Sequence, residues 1–148
     1  MSFRFAAALF VTLLVPSAAA QDGPSIGFVT DCNDDGYGER LYLETDFDDP
    51  NACPIFRDDD MGTFVRIDGL LKEVSAVSRR EETVRDESSG VSREYQVAVF
   101  RPRDRSFEIE TWTRYEPQGP THAVVYGGFT VRKAGRTTSV RVAGTAGG

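Results

Sequence analysis

Glu108 and Glu110 stand two residues apart, with Trp112 two further on. On an extended strand all three share one face, the carboxylates about 6.6 Å apart along the backbone. Paired carboxylates beside an aromatic that can stack on a sugar suit glycoside hydrolysis, one giving its proton to the leaving oxygen and the other acting as nucleophile or base. Arg114 continues that face, however, and a solvated strand with cross-strand ion pairs reads the same way. Other catalytic arrangements fail on inventory. His122 is the only histidine and no serine sits in a G-x-S-x-G context, so a Ser-His-Asp triad lacks its parts. His122, following Pro120, is expected at the start of a strand. The expectation is therefore a non-enzymatic domain, with a small carbohydrate-active hydrolase using Glu108 and Glu110 as the alternative.

An acidic stretch carries a second kind of chemistry. Asp31, Asn33, Asp35 and Gly36 follow the pattern D-x-[DN]-x-[DN]-G, the opening of an EF-hand-type loop. Hard Ca²⁺ takes six to eight oxygens, alternate Asx side chains supply the first of them, and the glycine turns the next carbonyl, that of Tyr37, inward. The twelfth position is Tyr42 where the pattern asks for a bidentate Glu, so Glu39, Glu44 or Asp46 would have to stand in. The candidate Ca²⁺ ligands are Asp31, Asn33, Asp35, Tyr37 and Glu39. An Asx-rich surface turn accounts for the same residues without a metal.

Two further spots bear on binding. Arg101-Pro102-Arg103-Asp104-Arg105 is the one dense basic run. It would suit an acidic partner or a lipid surface, or it is simply a charged hairpin tip. Arg101, Arg103, Arg105 and Trp112 are the candidate binding residues. In Tyr126-Gly127-Gly128-Phe129, paired glycines inside a strand pattern mark a bulge, a barrel corner, or the close approach of another backbone or a ligand.

The elements that must position these residues are strands. Val91–Phe100, Phe107–Tyr115, Thr121–Val131 and Thr137–Ala143 are rich in β-branched and aromatic residues. Turn chemistry divides them at Pro102–Arg105, Glu116–Pro120 and Lys133–Arg136. Tyr95, Val97 and Val99 alternate on one side of their strand, and Phe107 and Ile109 on one side of theirs, opposite the two glutamates. Leu41–Thr45 and Thr63–Ile67 are shorter candidates. Leu70–Asp86 fits helical spacing as well, but its Ser, Val and Thr content favours strand, with Ser88-Ser89-Gly90 as a hairpin tip. The expected fold is all-β, a single antiparallel meander closing into a small sandwich or barrel.

Compartment and charge narrow the function. Arg4, the apolar run Phe5–Val15, Pro16 and the small residues Ala18–Ala20 read as a secretory signal peptide over residues 1–20, cleaved after Ala20. The run is too short to span a bilayer, and no other transmembrane segment is expected. What remains, 21–148, is expected to be one domain: an acidic, disulfide-closed segment over 21–60 and antiparallel strands over 61–148. Only Cys32 and Cys53 are available, and an oxidising space would join them, worth ~3 kcal/mol through restriction of the unfolded chain. Asp22–Asp60 carries twelve acids against Arg40 and Arg57, whereas Met61–Gly148 carries eleven acids against fourteen bases. Basic residues interleaved with acids do not build the positive surface that nucleic acid requires. The sequence thus points to a secreted or periplasmic, monomeric binding or envelope-associated domain, its partner a macromolecule, protein or glycan.

Overall fold

The computed structural model describes residues 23–29, 32 and 37–147. Among these residues there are nine strands: β1 (Ile26–Gly27), β2 (Gly38–Leu43), β3 (Phe56–Asp59), β4 (Gly62–Ile67), β5 (Leu70–Arg85), β6 (Ser92–Pro102), β7 (Glu108–Pro117), β8 (His122–Lys133) and β9 (Arg136–Gly147). Each strand from β2 to β9 pairs antiparallel with the next in sequence, and β9 pairs back onto β2, so the meander closes into an eight-stranded barrel. Between sandwich and barrel, closure decides for barrel. β1 lies outside this ring, pairing Ile26 and Gly27 with Ile67 and Arg66 where β3 no longer reaches β4. The one helical piece among the described residues is a 3₁₀ turn at Glu44–Asp46.

The period-2 alternation sets what faces in. Leu41, Phe56, Val65, Val74, Phe100, Ile109, Phe129, Val131 and Val142 fill the barrel in one continuous core. Phe56 sits at its centre, edge-on to Phe100 at 5.2 Å and to Phe129 at 6.1 Å. The opposite parity sends Glu108, Glu110, Arg132 and Arg141 outward into ion pairs. That polarity is the inverse of a lipid-facing barrel, whose wall presents an apolar band. No helix among the described residues is long and apolar enough to cross a membrane.

Turn chemistry fixes the register. Asp68–Gly69 and Ala134–Gly135 are two-residue turns with positive φ at both positions (49° and 80°, 50° and 75°), the form whose twist matches antiparallel strands. At Gly127 an added Cβ would lie 1.7 Å from the carbonyl oxygen of Trp112, so β7 and β8 approach too closely there for any side chain.

The ambiguous stretch from Leu70 is one strand, β5, with a bulge between Ala76 and Ser78 that absorbs Val77. Its far end forms a ribbon with β6 that outruns the barrel: β6 meets β7 only from Gln96 onward, leaving Ser92–Tyr95 paired to β5 alone. Asp86 holds the ribbon tip by accepting from the backbone N–H and hydroxyl of Ser88, and these bonds bring its carboxyl down to about 2. Cys32 and Cys53 are joined. The acidic segment also supplies two staves of the barrel, β2 and β3.

Candidate functional site at the basic end of the barrel

Antiparallel order gathers alternate connections at each end. The turns Asp68–Gly69 and Ala134–Gly135, the loop 103–107 and the acidic β2–β3 connection 44–55 lie toward one end; the turn Asp60–Met61 and the loops 86–91 and 118–121 lie toward the other. Sequence-distant bases therefore converge. At the first end Lys133 Nζ reaches Asp68 at 2.7 Å, tying the β8–β9 turn to the β4–β5 turn. Lys72 Nζ meets Asp104 at 3.1 Å, and Arg101 grips Glu108 through Nε at 2.9 Å and Nη2 at 2.7 Å. Arg132 lies 3.8 Å from Glu108 and 3.7 Å from Glu110.

These pairs engage Asp68, Asp104, Glu108 and Glu110 but do not use every base of the two hairpins. Arg103, Arg105 and Arg136 are exposed and have no ion-pair partner among the described residues. The loop that carries two of them is braced by Asp104, whose carboxylate accepts from Ser106 N at 3.0 Å and Ser106 Oγ at 2.7 Å. Those bonds, the hydroxyl's first, bring Asp104 down to about 2, with Lys72 adding to the effect. Asp68 is likewise lowered, chiefly by the hydrogen bond from Lys133 and then by the N–H of Ser25. Both acids stay ionised at neutral pH, so their partners are neutralised, which leaves Arg103, Arg105 and Arg136 as the bases of these two hairpins without an ion pair among the described residues. Arg105 sits at φ 55°, a left-handed conformation that costs a non-glycine residue ~1 kcal/mol. Between this loop and the β8–β9 turn lies a recess of about 360 Å³, lined by Arg101, Arg105, Glu108, Arg132 and Lys133 among others.

Of the candidate binding residues, Arg101, Arg103 and Arg105 lie at this end, and Arg132, Lys133 and Arg136 join them from the next hairpin. Sequence reading missed that second group. The signal was present in Arg132-Lys133-Ala134-Gly135-Arg136, where a two-residue turn concentrates three bases. Trp112 lies elsewhere, on the outer wall, where its indole N–H donates to Glu110 Oε1 at 2.8 Å and Arg80 covers its ring at 5.8 Å. Glu108 and Glu110 do share the outward face of β7, as their spacing implies. Guanidinium groups and the indole hold both of them, which is the geometry of an ion-paired wall. His122 opens β8 and is exposed.

Asp31, Asn33 and Asp35 of the candidate Ca²⁺ loop lie outside the described residues, as does the signal-type segment 1–20. Tyr37 is exposed and its carbonyl accepts from Arg40 Nη1 at 3.0 Å. Glu39 turns inside the barrel, where it accepts from the Tyr115 hydroxyl at 2.5 Å. Among the described residues no group of three His, Cys, Asp or Glu side chains is placed to hold a metal ion.

The interior polar set at the acidic mouth was also missed. Glu39 faces its register partner Asp58, which accepts from Thr63 Oγ1 at 2.7 Å and lies 3.9 Å from Arg79 Nη2. Parity was the available clue: Glu39 is in phase with Leu41 and Leu43. The chain matches no protein-family model, no curated protein and no solved structure.

Proposed function

We propose that this protein is an exported, non-catalytic β-barrel that attaches to an anionic surface outside the cytoplasm through the basic end of its barrel. The observation that carries this reading is the set Arg103, Arg105 and Arg136, without ion-pair partners among the described residues and brought together from two hairpins while the neighbouring bases are held by acids. Planar guanidinium groups suit phosphate and carboxylate recognition, and each base near an anionic lipid surface contributes about 1 kcal/mol. The signal-type N-terminus and the Cys32–Cys53 bridge support an extracytoplasmic location. The overall charge of −6 disfavours non-directional adsorption, so attachment depends on the local cluster of arginines.

Sedimentation with lipid vesicles tests the reading. The protein should partition onto phosphatidylglycerol-containing vesicles and not onto pure phosphatidylcholine, with binding that fades as salt rises. Replacing Arg103, Arg105 and Arg136 together by Gln should weaken the partition coefficient by about a hundred-fold, equivalent to ~3 kcal/mol. Equal partition of the parent and the triple variant would refute the assignment.

A further inference from the structure

The two adjacent glycines of β8 are there for different reasons. Gly127 is a steric necessity, since a Cβ would strike the Trp112 carbonyl. Gly128 is not: its outward side meets nothing closer than the Val140 carbonyl oxygen at 4.0 Å, and its φ is not left-handed. A glycine inside a strand is less stable than Ala, so the fold alone does not account for a side-chain-free position there.

The register shows what surrounds the gap. On the outer wall Trp112 pairs with Gly128 and Gly128 with Arg141, and one step along Arg114 pairs with Tyr126. The missing side chain thus leaves a dent between two aromatic rings and two guanidinium groups. Arg93 and Tyr95, from the ribbon that outruns the barrel, rise along its border, and the recess measures about 340 Å³, within the range of small-ligand sites. Its polar groups are incompletely satisfied. Arg114 stacks over Tyr126 at 5.4 Å and pairs through Nη1 with the half-exposed Glu116, while its Nε is buried with no acceptor among the described residues. Arg141 pairs with Glu44 at 2.9 Å, but its side chain is 84 % exposed, where such a pair is weak and readily exchanged. Arg93 is exposed without an ion-pair partner among the described residues.

We infer that the dent over Gly128 is a binding site for an acidic saccharide, a hexuronate-type ring whose apolar face lies against Trp112 and Tyr126 while its carboxylate is held by Arg114 and Arg141. An apolar C–H face, one negative charge and many hydroxyls answer in turn to the aromatic rings, the forked guanidinium groups and the polar rim. The site is on the barrel wall and stands independently of docking by the basic end.

Trp112 is the only tryptophan, so its fluorescence reports the site directly. Titration of the full protein with an oligogalacturonate should give a saturable fluorescence change, at least tenfold weaker with a neutral maltooligosaccharide. Gly128→Leu, which fills the dent, should weaken binding at least tenfold while melting no lower than the parent. Should that variant misfold, Arg141→Gln, on an exposed side chain, gives the second measurement and should weaken binding at least threefold. No saturable change at about 10 mM oligogalacturonate would overturn the inference, as would equal affinity for the neutral sugar. So would parent-like binding by the folded Gly128→Leu or Arg141→Gln variant. Polyphosphate that binds as tightly as the uronate and is unaffected by Gly128→Leu would assign the response to charge alone and overturn it too.

Discussion

Glu39 and Tyr115 form the most exacting test of the interior. The Tyr115 hydroxyl donates to Glu39 Oε2 at 2.5 Å across the barrel, from β7 to β2. Burial raises the Glu39 carboxyl above its ordinary range and the bond from Tyr115 works against this; the charge of Asp58 raises it further and that of Arg79 lowers it. The Tyr115 phenol is pushed up, first by burial and then by the charge of Glu39. A raised native value means that the folded state holds the proton more tightly than the unfolded chain. The associated stability is therefore complete below the unfolded carboxyl value of about 4.3 and is lost as pH rises through the native value. Glu39→Gln keeps an acceptor for Tyr115 and removes the ionisation, so it should match the parent near pH 4 and exceed it at pH 7. Tyr115→Phe removes a donor to a charged group and should cost ~1.5–3 kcal/mol at pH 7, and less near pH 4 where the carboxyl is protonated. Urea unfolding followed by Trp112 fluorescence from pH 4 to 8 measures both. A Tyr115→Phe cost that is flat across that range, or a Glu39→Gln curve parallel to the parent's, would refute the reasoning.

Cys53→Ser should lower stability by ~3 kcal/mol by freeing the unfolded chain, and a reductant should bring the parent's melting temperature down toward the variant's without moving the variant's. Gly127→Ala places a methyl group 1.7 Å from a backbone oxygen that cannot rotate away, so β7 and β8 must part. The cost should reach or exceed the ~1–3 kcal/mol of ordinary overpacking, whereas Gly128→Ala should be neutral or stabilising; paired melting curves that coincide would contradict the distinction between the two glycines.

The C-terminal half of the fold was legible because its strands satisfy both periodicity and turn chemistry. Phe107 and Ile109 alternate with Glu108 and Glu110, and the turn residues between strands fall where the chain reverses. β3 was not legible: Phe-Arg-Asp-Asp carries a single apolar residue, and its strand conformation depends on pairing to β2 and β4 on either side. The short β1 depends in the same way on the free stretch of β4. Closure itself lies in the contact of β9 with β2, a pairing between chain ends that no local window contains. The basic end was half legible, since one arginine run is contiguous and the other reaches it only through the meander. The dent over Gly128 was hinted at by the paired glycines, but only a register that sets Trp112 and Arg141 on either side of Gly128 separates the glycine the backbone requires from the one it does not.

A closed barrel constrains where recognition can happen. Every stave from β2 to β9 is paired on both sides over part of its length, and Phe56, Phe100 and Phe129 occupy the interior. What remains accessible is the ends, the outer wall and the ribbon that outruns the ring. The ends differ in what they display because the meander returns the chain to the same end every second strand, bringing Arg103, Arg105 and Arg136 together from two hairpins at one and Glu39 and Asp58 from two staves toward the other. The wall differs from both, because outward parity on neighbouring strands sets rows of side chains side by side. A row that reads Val97, Trp112, Gly128, Arg141 across four strands makes a recess that no single strand contains. Attachment by an end leaves such a recess on the flank, facing along the surface and open to chains lying on it, so the two proposed contacts do not compete for the same face of the molecule.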